Sequence, residues 1–199
     1  VELNISSNVR EIEKELGIFY RKQIPFATAK AINETLFDVR QQLVAGTVKH
    51  IDRPTPFTKR GFQVQKAKKS TLAGAVFVPP NRLDYMSPLV HGGTKENVNE
   101  PVNVKLNKYG NISKAQVKQW KSNPQRFFFG VPKGMSGENA AGVWERYAKG
   151  TRIRQVTKRN RRREVRRQYP FYEIAQKEAI RVFDYNLGVA LRRAINTAR

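Results

Sequence analysis

The chain has no cysteine, which excludes disulfides, iron–sulfur clusters and thiolate zinc sites and fits a reducing compartment. Its two histidines, His50 and His91, lie far apart, and neither has an acid at metal-ligand spacing. That pattern indicates no metal centre and no imidazole catalysis. Acidic residues are scarce, 16 Asp and Glu against 38 Lys and Arg, for a formal net charge of +22. No apolar run approaches the about 18 residues that span a bilayer. No signal-peptide pattern opens the chain, so the expectation is a soluble cytosolic product. The phosphate-binding Gly-x-x-x-x-Gly-Lys loop and the Gly-x-Ser-x-Gly nucleophile elbow are both missing. Asp38, Asp52 and Asp84 share no spacing that would make a metal-dependent nuclease, and helix-surface charge and capping account for them. The sequence thus assigns no catalytic, cofactor-binding or metal-binding residue.

What is present is a core and a charge excess. A chain of 199 residues buries about 70% of its unfolded surface, enough for a single domain spanning 1–199. Hydrophobic residues at 39% and aromatics at 10% exclude a disordered basic tail, which could not bury a core. Self-repulsion at +22 disfavours a compact monomer without counter-charge. The expected partner is an anion: nucleic acid, an anionic membrane surface or an acidic protein. The excess is densest from Arg146 to Arg167, where eleven Lys and Arg face a lone acid, Glu164.

Periodicity predicts an α+β fold, a small antiparallel sheet flanked by N-terminal helices and a long C-terminal helix. A first helix is capped by Ser6 or Ser7, has Glu11 and Glu13 near its positive end, and carries Val9, Ile12, Leu16 and Phe19 as one stripe. A second begins with Pro25 in its first turn and buries Ala29, Ile32, Leu36, Val39 and Leu43. The prolines at 54 and 56 end it. Gly61–Gln65 and Ala73–Val78 flank a Lys-Lys-Ser-Thr turn and read as a hairpin. Residues 79–126 read as a long irregular loop with Pro88 among its breakers, of the kind that is functional or ordered by a partner; inside it Ile112–Trp120 forms a short helix capped by Ser113. Phe127–Val131 is a buried strand, Val143–Tyr147 another, and Thr151–Thr157 a weaker one. Residues 158–168 are too charged to pack and are expected to be a mobile excursion. The last helix spans Phe171–Ala198, with Ile174, Ile180, Phe183, Leu187, Leu191 and Ile195 turned inward and Arg192, Arg193 and Arg199 at its negative end.

The basic segment is the strongest physical signal, since each phosphate it neutralises releases counterion and gives salt-sensitive, sequence-independent binding. The candidate DNA-contacting residues are Arg152, Arg154, Lys158, Arg159, Arg161, Arg162, Arg163, Arg166 and Arg167. A solvated face or an arm docked on acidic neighbours is the other reading. No base-reading module accompanies the segment, and no alternation of aromatic and basic residues marks a single-strand platform. Gly134-Met135-Ser136-Gly137 matches a Gly-x-x-Gly clamp but lacks flanking helices and reads as a glycine hinge between strands.

Four segments together resemble the minor tail protein Z, or tail completion, family of tailed bacteriophages and prophages. They are Ile24-Pro25-Phe26-Ala27-Thr28-Ala29-Lys30-Ala31-Ile32-Asn33-Glu34-Thr35, Asp52-Arg53-Pro54-Thr55-Pro56-Phe57-Thr58, His91-Gly92-Gly93-Thr94 and Tyr169-Pro170-Phe171-Tyr172. The resemblance covers the chain from about Ile24 to the end. It implies a structural virion protein at the head-proximal end of the tail, made in the host cytoplasm and without enzymatic activity. Its implied partners are tail tube or terminator proteins, head connector or neck proteins, further copies in a ring, and genomic double-stranded DNA in the channel; no membrane is implied. On that reading Phe57, Phe62 and Trp120 are expected to anchor protein contacts. A cellular protein that binds DNA or RNA without sequence preference is the alternative.

Overall fold

The structure, a computed structural model, describes residues 1–6, 20–137 and 140–197, without the side chains of residues 20–22 and Arg161. The chain is α+β and divides into two compact units, Val1–His91 with Arg167–Arg199, and Gly92–Arg166. The first expected helix and Arg199 lie outside the described residues, except Ser6, which ends a strand.

In the first unit, strand β1 (Glu2–Ser6), helix α1 (Tyr20–His50), helix α2 (Pro56–Lys59), strands β2 (Gln63–Gln65) and β3 (Ala73–Phe77), helix α3 (Pro80–His91) and the last helix, α5 (Phe171–Thr197), surround one core. The sheet runs β1-β3-β2, all antiparallel. The expected hairpin pairs Val64 with Val76; the third strand, β1, is an addition. Ile32, Leu36, Val39 and Leu43 of α1 are buried as the periodicity predicts, against Val76, Met86, Val90, Tyr169 and Phe171. Pro25 lies inside α1 rather than in its first turn, because packing of the buried residues beyond it outweighs one missing donor.

The long helices α1 and α5 meet through small side chains. Ala27 and Ala31 pack on Ala190 and Ala194, and a Cβ on Gly46 would come within 2.7 Å of Ile174. This corrects part of the expected inward face of α5, of which Ile174, Phe183, Leu187 and Leu191 do pack against the core. Ile180 is 70% and Ile195 64% exposed, while Ala175, Val182, Ala190 and Ala194 are buried. Size ranks residues for burial in isolation, but close helix contact selects small ones. Tyr169 closes the unit. Its hydroxyl donates to the Leu43 carbonyl at 2.6 Å, its ring stacks on Phe62 at 5.9 Å, and burial pushes its phenol pKa upward. Asn33 imitates a strand partner, donating to the Ala67 carbonyl at 3.1 Å and accepting from the Ala67 amide at 2.7 Å.

The second unit holds strand β4 (Gly93–Pro101), helix α4 (Lys114–Ser122) and strands β5 (Phe127–Gly130), β6 (Gly142–Tyr147) and β7 (Arg152–Val165). Its antiparallel sheet has the order β4-β7-β6-β5. Ser113 caps α4 in a capping box with Gln116, close to the expected start. Two expectations fail here. Residues 79–126 are mostly regular: Pro80 opens α3 where its missing donor costs nothing, and Met86 and Val90 hold that helix down despite Pro88. Residues 158–165 are the outer half of a fourteen-residue strand, because β4 supplies a backbone partner along its length. β5 is a strand as expected, but it is an edge strand, and only Phe127 of its three phenylalanines is buried.

The alanine seam gives a direct test. Ala31→Leu should cost about 1–3 kcal/mol through overpacking and lower the melting temperature by several degrees. Ile195→Ser should stay within about 0.5 kcal/mol, as for other exposed positions. Thermal denaturation followed by circular dichroism distinguishes this face from the one size alone would select.

Candidate nucleic-acid interface

Charge is concentrated in the second unit. Residues 92–166 carry 18 Lys and Arg against 5 Asp and Glu, a net of +13 out of the chain's +22. β7 lies between β4 and β6, and the register fixes what each of its cations opposes. Lys158 faces Glu100, Arg159 faces Asn99, Arg162 faces Glu96 and Arg163 faces Lys95. Directly opposed residues share a face, so Lys158 and Arg162 lie with the two glutamates. Arg159 lies on the other side with Asn99, whereas Arg163, opposite Lys95, reaches Glu100.

Further along, the pairing slips by one residue between Val143 and Trp144, so that Val143 opposes Thr157 but Trp144 opposes Gln155. A bulge of this kind reverses which side chains share a face. Arg154 and Arg152 oppose Glu145 and Tyr147, which alternate with Val143 and so lie on its side, the side of Thr157 and Arg159. Without the slip the even-numbered and odd-numbered arginines would point to opposite sides of the sheet. With it, Arg152, Arg154 and Arg159 share one side.

Helix α4 covers the middle of that side. Trp120, Phe127, Val143 and Val156 form a buried cluster with Val104, Ile112 and Val117. Lys114, Lys118 and Lys121 of α4 are exposed, and their i, i+4, i+7 spacing places them on the helix face away from Trp120. These lysines belong to the cationic surface, and their helical spacing was the sequence signal that would have found them.

Several arginines are held rather than free. Glu145, only 3% exposed, takes Arg126 and Arg154 on its two carboxylate oxygens, each at 2.6 Å. Burial pushes the Glu145 carboxyl upward, but hydrogen bonds from Arg154 and Arg126 outweigh this and hold its pKa below the ordinary value. Arg146 lies 4.4 Å from the centre of the Phe128 ring and donates to the Pro124 and Gln125 carbonyls. Arg154 lies 5.9 Å from the Tyr147 ring. Aromatic and basic residues therefore do interleave, across strands rather than along the sequence.

The nine expected DNA-contacting residues fall out as follows. Arg152, Arg162 and Arg166 are exposed and Lys158 is half-buried. Arg154 is tied to Glu145, Arg159 donates to Asn97 at 3.3 Å, and Arg163 pairs with Glu100 at 3.2 Å. The Arg161 side chain lies outside the description. Arg167 belongs to the first unit and pairs with Glu173. Of the expected protein anchors, Phe62 and Trp120 are core residues, 1% and 5% exposed, and are unavailable to a partner. Phe57 is exposed, with the Arg82 guanidinium 4.3 Å from its ring centre. His91 ends α3 against Tyr172, with Gly92 in the left-handed region. Gly134 and Gly137, both left-handed, lie between β5 and β6. Asp38 accepts from Asn186 and Asp52 from Arg53; among the described residues no group of three or more His, Asp or Glu is placed to hold a metal. No helix among them is long and apolar enough to cross a membrane.

Glu145→Gln should lower stability at neutral pH by about 1–2 kcal/mol, the loss of two charge-assisted bonds discounted for half-exposed arginines. Because the folded pKa is depressed, that contribution is present above about 4.5 and disappears as pH falls through the folded value. The melting temperatures of the two proteins should therefore converge on acidification below about pH 4.5. A gap that persists at low pH would refute the ion-pair account.

Cations thus gather on one side of the sheet, and aromatic rings lie beside Arg146 and Arg154. No family profile, curated protein or solved structure matches this chain, so its function is argued from this geometry and from the sequence resemblance.

Proposed function

We propose that this chain is a structural protein completing the head-proximal end of a bacteriophage tail, and that its second unit contacts double-stranded DNA by the phosphate backbone. The observation that carries the DNA contact is the gathering of Arg152, Arg154 and Arg159 on one side of the sheet by the slip in β7, beside the exposed lysines of α4. Such a surface neutralises phosphates without reading bases.

The tail assignment is supported by the resemblance. Three of its four segments fall within the first unit as structural parts. Ala27, Ala31 and Ile32 are core residues of α1, and Thr55 caps α2. Tyr169 and Phe171 flank Phe62. The fourth segment, His91 to Thr94, joins α3 to β4. Residues used in this way build a fold rather than a catalytic site, in keeping with a structural role. Repeated around a ring, the cationic side would line a channel and hold a duplex while leaving it free to slide. The cationic ribbon suits a cellular nucleic-acid binder equally well, and incorporation into particles separates the two readings.

Two measurements test the proposal. Binding to a random-sequence duplex should weaken log-linearly with salt. Changing Arg152, Arg159, Lys114 and Lys118 together to Ser should reduce that slope by up to about 3–4, near 0.9 per phosphate contact, equally for unrelated sequences. An unchanged slope would remove the DNA contact. Deleting the gene from its parent phage or prophage should leave filled heads and full-length tails that do not form infectious particles, as seen by electron microscopy; normal infectious particles would remove the tail assignment.

A further inference from the structure

On the cationic side of the second unit's sheet, where the cover of α4 stops, there is a cavity of about 420 Å³, within the range of small-molecule sites. Val143 and Thr157 of the sheet line it between Phe129 on one side and Arg159, Asn97 and Asn99 on the other, with Trp120 of α4 beside them. The register explains the arrangement. Thr157, Val143 and Phe129 form one row across β7, β6 and β5, and Arg159 with Asn99 begins the next.

Three features distinguish this cavity from a packing defect. Phe129 is 53% exposed and, among the described residues, has no ring partner, so an aromatic face is presented to the opening. Asn97 has φ of +52°, a conformation asparagine tolerates better than most residues, and its side-chain oxygen accepts from Arg159. The guanidinium is thereby held at the rim. Gly130, with φ of +135°, has nothing within 4 Å of where a Cβ would sit, which leaves the mouth open beside Phe129.

We infer that this cavity takes one unstacked nucleotide of a single-stranded nucleic acid, its base against Phe129, its edge at the asparagine amides and its phosphate at Arg159. An aromatic face for any base, amides for hydrogen bonding and a cation for the phosphate are the three things such a ligand requires. The net charge of +13 on the unit favours a phosphate-bearing ligand over an apolar side chain of another protein. The inference rests on the polyanion contact proposed above and adds to it a preference for unpaired ends or gaps, which a duplex track alone lacks.

The test uses the full chain and two fluorescent DNA probes, a blunt duplex and the same duplex with a short single-stranded oligothymidine overhang, followed by anisotropy. The overhang should tighten binding by about tenfold. Phe129→Ala should abolish that increment and leave blunt-duplex binding unchanged, whereas Arg159→Ala should weaken both. An overhang without effect, or an increment that survives Phe129→Ala, would overturn the inference while leaving duplex binding in place. Failure of the blunt duplex to bind, with an increment still sensitive to Phe129, would instead overturn the duplex reading and keep the cavity. Should Phe129→Ala alter only incorporation into particles, the cavity belongs to a protein neighbour and the nucleotide assignment fails.

Discussion

Like charges placed directly opposite one another weaken a β-ladder, and seven of the fourteen residues of β7 are Lys or Arg. What stands across from them therefore decides whether the second unit exists. Arg162 meets Glu96, Lys158 meets Glu100, Arg154 meets Glu145, Arg159 meets Asn99 and Arg152 meets Tyr147. Each of these five cations opposes an acid, an amide or an aromatic ring. The exception is Arg163 opposite Lys95, and there Glu100 comes within 3.2 Å of the arginine. Four of the chain's few acids are thus committed to this one strand, counting Glu164 within it. The sheet is held by its backbone ladder and by charge matching, with a small apolar cluster under α4.

The first unit rests on a different balance. Its core is made of aliphatic and aromatic side chains, and its two long helices approach closely over alanine. Two polar groups there are matched by backbone distant in sequence, Asn33 by Ala67 and Tyr169 by Leu43. One chain thus combines a unit organised by packing with a unit organised by charge, and the resemblance to tail completion proteins draws most of its residues from the former.

That difference explains what could be read from the sequence. Packing leaves a periodic trace, so the buried face of α1, the β2–β3 hairpin, β6 and the Ser113 cap were all legible. Charge matching leaves no such trace within one segment. Residues 158–165 look unable to pair until Glu96 and Glu100, some sixty residues earlier, are known to lie opposite. β4 itself, Gly-Thr-Lys-Glu-Asn-Val-Asn-Glu-Pro, has few strand-forming residues and reads as loop for the same reason. The gathering of Arg152, Arg154 and Arg159 on one side depends on a single extra residue in β7, which no periodicity reveals. Phe62 and Trp120 were misread as anchors because an aromatic among polar neighbours looks alike in sequence whether it is covered or not.

The way the chain leaves and re-enters the first unit has a consequence for its history. The amides of Gln168 and Tyr169 both donate to the Leu89 carbonyl at 2.9 Å, so the exit near His91 and the return near Arg167 lie side by side. At the other end Gly93 pairs with Val165, so the second unit also begins and ends at one place. A segment with both ends together can be gained, lost or exchanged through a short splice without disturbing the host's hydrogen bonds. The 75 residues from Gly92 to Arg166 have the geometry of an insert, a cationic cassette carried on a helical scaffold that is closed without it.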